Sequence, residues 1–206
     1  MSGRFISFEG TEGVGKTTAI DGLCQRLSKQ GIDWVRTREP GGSELAEHLR
    51  SLFLDPKQNI NSDTEILLMF AARADHLQQV ILPALQAGKW VICDRFIDST
   101  VAYQGFGRGL GDQAYLTKIE LLIEWFVPVL PQTTLWLDLD IATGIRRAGK
   151  RGAADRIEAN DLAFFERVHQ GYCHQKNKNP NRVYRIDADG APDEIGKRID
   201  QALGLA

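Results

Sequence analysis

Gly10 to Thr17 reads G-T-E-G-V-G-K-T and meets the G-x-x-x-x-G-K-(S/T) spacing of a phosphate-binding P-loop at every fixed position. The chemistry such a loop offers is the binding of a polyphosphate. Gly10, Gly13 and Gly15 allow close backbone approach, so that amides along Thr11, Glu12, Val14 and Thr18 can face the anion at the start of a helix. Lys16 would neutralise charge on the β- and γ-phosphates, and the Thr17 hydroxyl would ligate Mg²⁺. A second group stands in "WVICDRF", residues 90–96. Asp94 suits Mg²⁺, directly or through water, and Arg95 suits a bidentate grip on a phosphate. Alone, an Asp-Arg pair after a strand reads more readily as a surface ion pair, and the P-loop is what reverses that preference. "TREPGG", residues 37–42, places Thr37, Arg38 and Glu39 before a Pro-Gly-Gly turn that on its own needs no functional reason.

These residues need a frame that brings them together. Phe5 to Phe8 is a short, mostly apolar run, as expected of a strand buried in a parallel sheet. Ala19, Ile20, Leu23, Cys24 and Leu27 then repeat at helical spacing until Gly31. Further strands are expected at Trp34 to Thr37, Trp90 to Cys93, Thr134 to Leu139 and Val183 to Ile186. Ser62 and Glu65 form a capping-box pair ahead of a long helix toward Leu85, and Asn160 is placed to cap another toward Gln175. The alternation predicts an α/β fold of the P-loop NTPase type: a five-stranded parallel sheet flanked by helices on both faces, with ligands at the carboxyl ends of the strands.

The 206 residues, 43% of them apolar and 25% charged, are the make-up of one soluble, well-cored domain covering the whole chain. A formal net charge of −2 gives no general footprint for nucleic acid, so the expected partners are small anions held by a local positive site. Cys24, Cys93 and Cys173 are odd in number and widely separated, which argues for a reducing compartment. With no signal peptide and no membrane-length apolar run, a cytoplasmic protein without membrane attachment is expected.

The loop FEGTEGVGKTT, then TREPGG, FAAR at 70–73, DRF at 94–96, STVAYQG at 99–105 and a basic segment ending DRIE at 155–158 together resemble the bacterial thymidylate kinase family, in order and spacing, over essentially the whole chain. The resemblance implies transfer of the γ-phosphoryl group of MgATP to dTMP, with ATP as co-substrate and Mg²⁺ as cofactor. It implies a thymine site at Phe70, Arg73, Ser99, Thr100 and Gln104, a Tyr103 that crowds the sugar's 2′ position, and a Glu12 that meets the 3′-hydroxyl. Arg38, Glu39, Arg50 and Arg95 match positions around the acceptor phosphate and the metal, with Thr17 and Asp94 as metal residues. Arg73 can donate to the O4 carbonyl and Gln104 can pair with the base edge. Without the resemblance, Phe70 reads equally as core and Arg73 as an exposed charge. The family is commonly a homodimer.

Some members carry an arginine inside the P-loop where this chain has Gly13. The resemblance to members with a glycine there and a basic lid assigns the missing charge to a mobile segment at about 146–157, "RRAGKRGAADR". Its Arg151 joins Lys16 and Arg95 as a catalytic residue, with Arg147 and Arg156 as alternatives, and an arginine introduced at Gly13 would supply charge from the opposite side. Cys173, His174 and His169 lack a second ligand pair and read as an ordinary helix, and "NKNP" at 177–180 reads as a loop, since Pro180 stands where guanine-reading N-K-x-D has aspartate. The competing readings are a GTPase switch, a DNA-stimulated ATPase and, nearest, a related kinase for another nucleoside or monophosphate.

Overall fold

A computed structural model describes residues 3–149 and 155–205. Its frame is a five-stranded, all-parallel sheet in the order β2-β3-β1-β4-β5, formed by β1 (Phe5–Glu9), β2 (Trp34–Arg38), β3 (Trp90–Asp94), β4 (Thr133–Asp138) and β5 (Val183–Asp187). The central strand, β1, is wholly buried, as its near-continuous apolar sequence requires. Side chains alternate across it, so Ile6 and Phe8 join the core beneath α1 (Lys16–Lys29) and α9 (Pro192–Leu203), while Phe5 joins the core on the opposite face. That opposite face is covered by α3 (Ser62–His76), α6 (Gln113–Phe126) and α8 (Leu162–Lys178), with a third cluster around Trp136, Phe164 and Tyr172. Two shorter helices, α2 (Glu44–Leu54) and α7 (Ile141–Ala148), stand at the carboxyl end of the sheet, after β2 and β4. The order in which successive strands are added reverses at β1, between β3 and β4, and the crevice there is where ligands of such folds bind.

The helix from Ser62 continues through a π-helical turn at Leu77–Ile81 into α4 (Leu82–Gln86), as long as the sequence indicates. Its cap differs. Asn61 accepts from the Thr64 amide at 2.8 Å, so Ser62 is already helical and Glu65 can turn inward. Likewise Asp161, not Asn160, caps α8 by accepting from the Phe164 amide, while the Asn160 side chain bonds back to the Arg156 and Ile157 carbonyls. In both cases two neighbouring residues could serve as the cap, and packing of the helix decides between them. Cys173 and His174 do lie on an ordinary helix, but α8 runs through Lys178, so only Asn179 and Pro180 of "NKNP" are loop. The short α5 (Ile97–Thr100) and the π-helical Val101–Arg108 follow β3 and carry Ser99, Tyr103 and Gln104 into the crevice. Among the described residues, no helix is long and apolar enough to cross a membrane.

Candidate active site

The P-loop forms as its glycines demand. Gly10, Gly13 and Gly15 all have positive φ, and a Cβ at Gly13 would lie 2.0 Å from the Gly144 carbonyl oxygen, so neither a side chain nor an L-residue's usual backbone fits there. Gly15 is the N-cap of α1 and no side chain caps that end, which leaves the first-turn amides directed at an anion. Lys16 Nζ donates to the Gly10 and Thr11 carbonyls at 3.0 Å each. Desolvation and the Arg95 charge push its pKa down to about 8.

Across the crevice from the loop, Arg95 stands at the end of β3 with φ of 71°, a left-handed backbone that a non-glycine adopts only when its surroundings fix it. They do: its amide donates to Phe8 O at 2.8 Å, Nη2 to Glu12 at 2.8 Å, and Nη1 to the Ser99 and Tyr172 hydroxyls at 3.1 Å each. The guanidinium also lies 4.8 Å from the Tyr103 ring centroid. Glu12 therefore does not repel within its own loop, since it is paired with Arg95 and accepts twice from the Tyr103 hydroxyl. Beneath this cluster Glu9 is fully buried, accepting from the Phe96 amide at 2.8 Å and from Ser99. Burial, and then the Asp98 carboxylate, push its pKa up to about 8. Sequence reasoning missed Glu9, whose one signal is a charge closing an otherwise apolar strand.

Asp94 ends β3 with one buried oxygen, Oδ1, that has no hydrogen-bond partner among the described residues. With the exposed Thr17 hydroxyl at the start of α1, this is a donor set suited to Mg²⁺, which takes one or two protein oxygens and fills its other positions with phosphate and water. No group of three His, Cys, Asp or Glu side chains able to hold a metal by itself occurs among the described residues.

The P-loop and Arg95 share one cavity of about 520 Å³, which runs from Lys16 and Thr17 past Arg38 and Arg50 to Met69 and Gln104. Arg38 pairs with Glu47 at 2.8 Å and Arg50 donates to Pro40 O at 2.8 Å. Of the residues expected around the thymine ring, Ser99 and Gln104 line this cavity, whereas Phe70, Arg73 and Thr100 lie buried behind its wall. Arg73 is not an exposed charge: it is 1% exposed and sits 5.0 and 5.1 Å from the Phe70 and Phe96 ring centroids. Its Nε donates to Glu39 at 2.7 Å and Nη2 to Thr100 at 2.9 Å, leaving Nη1 without a partner among the described residues. Both oxygens of Glu39 are engaged, one by Arg73 and the other by buried His76 at 3.0 Å. His76 gave no sequence signal beyond its place on the helix.

The basic segment divides. Arg146 and Arg147 belong to the last turn of α7, and Arg147 lines the cavity. Arg156 does not reach toward the P-loop, because its Nε donates to Phe53 O at 2.7 Å and its Nη1 pairs with buried Glu65 at 2.7 Å. Arg151 lies outside the described residues.

A sequence model described as Thymidylate kinase matches residues 8–199. The chain is 65% identical over 201 residues to the thymidylate kinase of Psychrobacter sp. (strain PRwf-1), covering 98% of this chain and 97% of that one. It is 50% identical to the thymidylate kinase of Acinetobacter baumannii (strain AYE), covering 97% of this chain and 98% of that one. The crystal structure of thymidylate kinase from Ehrlichia chaffeensis superposes with a TM-score of 0.79 at 34% identity, over 98% of this chain and 99% of that one. Fold, motif order and likeness over nearly full length agree, and the chain belongs to the thymidylate kinase family.

Proposed function

We propose that this chain, an enzyme that phosphorylates dTMP, draws the phosphoryl group from the γ-position of ATP, with Mg²⁺ held by Thr17 and Asp94. The observation that carries the reading is that Arg95, rigidly held, and Lys16 of the P-loop line the same cavity, so donor and acceptor phosphates can meet in it. The acceptor oxygen is already ionised at neutral pH, so the site needs no general base. Its work is in-line positioning and cancellation of charge. The P-loop amides and Lys16 hold the donor, and Arg95, with Arg38 and Arg50, holds the acceptor phosphate. Thr17 and Asp94 would hold Mg²⁺, whose charge would offset the negative charge of the phosphates. Tyr103 and Glu12, joined by hydrogen bonds, would face the sugar, and Gln104, which lines the cavity, the thymine edge, with Arg73 behind it. A cytoplasmic homodimer accompanies the reading, with Leu67 of α3 and Leu121, Trp125 and Phe126 of α6 as exposed apolar residues suited to a subunit contact.

Gln104→Ala is the cleanest test of the base end, since Arg73→Ala would leave Glu39 buried without its charge partner and destabilise the fold by about 3–5 kcal/mol. Loss of one hydrogen bond in a desolvated pocket, about 1–3 kcal/mol, should weaken dTMP roughly 5- to 150-fold. Calorimetric titration of dTMP and of ATP checks this, and weakened ATP with unchanged dTMP would place the base elsewhere.

A further inference from the structure

Glu65 is 1% exposed, lies on α3 and is shared by two partners: its Oε1 accepts from Gln104 Nε2 at 2.8 Å, and its Oε2 is paired with Arg156 Nη1 at 2.7 Å. Arg108 stands farther off, at 3.7 Å. A carboxylate paired with arginine can only accept hydrogen bonds, whereas a primary amide donates at one end and accepts at the other. Glu65 therefore dictates which end of the Gln104 amide faces it. The NH₂ must point at Glu65, and the carbonyl oxygen is the end left for the cavity that Gln104 lines.

We infer that Glu65 is the specificity-determining residue of the acceptor base site, acting through Gln104: by holding the amide in one orientation it presents an acceptor, which suits a pyrimidine carrying N3–H and rejects one carrying a lone pair at N3. The inference rests on the proposed acceptor site. Thymine and uracil have the N3–H donor, and cytosine has the lone pair. Glu65 touches no substrate in this arrangement. It is a positioning residue whose own orientation is fixed by Arg156, at the end of the basic segment.

The test is kcat/KM for dTMP and for dCMP in Glu65→Gln. Arg156 can only donate, so it takes the oxygen of the new amide, whose NH₂ then faces Gln104. Gln104 must turn its carbonyl toward that NH₂ and its own NH₂ toward the base. The dTMP to dCMP ratio is expected to fall at least tenfold, with kcat/KM for dCMP rising in absolute terms. Adding Gln104→Glu to Glu65→Gln puts an acceptor-only group at the base again, and the ratio should return to within about threefold of the parent. A merely structural Glu65 would lower both activities by the same factor, so an unchanged ratio in folded Glu65→Gln overturns the inference. Should Glu65→Gln alone not fold, Glu65→Ala decides: with nothing to fix the Gln104 amide, a fallen dTMP to dCMP ratio supports the inference and an unchanged ratio overturns it. A parent protein inactive on dTMP would overturn the acceptor reading and the inference with it, and that failure is recognised before any variant is made.

Discussion

Lys16→Ala is expected to lower kcat by about 10³-fold or more in a protein that remains folded. The size follows from what the lysine does and from where it is kept. Its ammonium is fixed by two P-loop carbonyls, in surroundings that already hold its pKa down from 10.5 to about 8. Nothing has to reorganise when the transferring phosphoryl group develops charge beside it, and a preorganised charge of this kind gives a large rate effect. The sign for stability is opposite. A lysine whose folded-state pKa lies below its unfolded value makes an unfavourable contribution at neutral pH, one that fades as pH rises through the window from about 8 to 10.5. The alanine variant should therefore unfold at or above the parent's Tm at pH 7. Single-turnover kinetics with a thermal melt check both halves, and near-parental kcat in the folded variant would remove the P-loop assignment.

Arg151→Ala is expected to lower kcat by roughly 10²- to 10⁴-fold with much smaller changes in dTMP affinity, the signature of a charge that reaches the γ-phosphate in the transition state. The structure narrows the alternatives around it. Arg156 is committed to Glu65 and the Phe53 carbonyl, so Arg156→Ala should act on folding and on the base end more than on phosphoryl transfer. Arg147 lines the cavity and remains the competitor. Arginine at Gly13 will not compensate, contrary to the expectation from sequence, because its Cβ would meet the Gly144 carbonyl at 2.0 Å on a backbone with φ of 75°. Rapid-quench measurement of kcat in Arg151→Ala and Arg147→Ala separates the two. A crippled Arg147→Ala beside a fully active Arg151→Ala would reassign the role, and full activity in both would reject transfer assisted by the basic segment.

What was legible in the sequence was whatever depends on local pattern. The P-loop, the five strands and the apolar side of α1 follow from spacing alone, and the strand ends move by a single residue at most. Arg38, Asp94 and Arg95 were legible for the same reason, since they stand at the ends of β2 and β3, whereas Arg50, inside α2, was marked by the family resemblance alone. The second layer was not. Glu9, Glu65 and His76 are titratable residues in helices or strands, and apart from the apolar run before Glu9 nothing in their neighbours indicates that they are buried. Their burial depends on partners 87, 39 and 37 positions away, namely Phe96, Gln104 and Glu39. Glu65 shows the difficulty well. Ser62 and Glu65 have the spacing of a capping box, but Asn61 takes the cap, and the carboxylate turns inward to Gln104 and Arg156 instead. The same limit applies to Arg73, whose alternative reading as an exposed charge is reversed only when Glu39 and Thr100 are brought against it.

The central claim is tested most directly by following the label from ATP carrying ³²P at the γ-position, in the presence of Mg²⁺ and a panel of acceptors: thymidine, dTMP, dUMP, dCMP and dGMP. The account predicts labelled dTDP as the main product, formed in step with ADP release and lost on chelation of Mg²⁺, with thymidine not phosphorylated, since Arg95 requires a phosphate to hold. Labelled dTMP formed from thymidine, or label released as inorganic phosphate at the same rate without any acceptor, would contradict it.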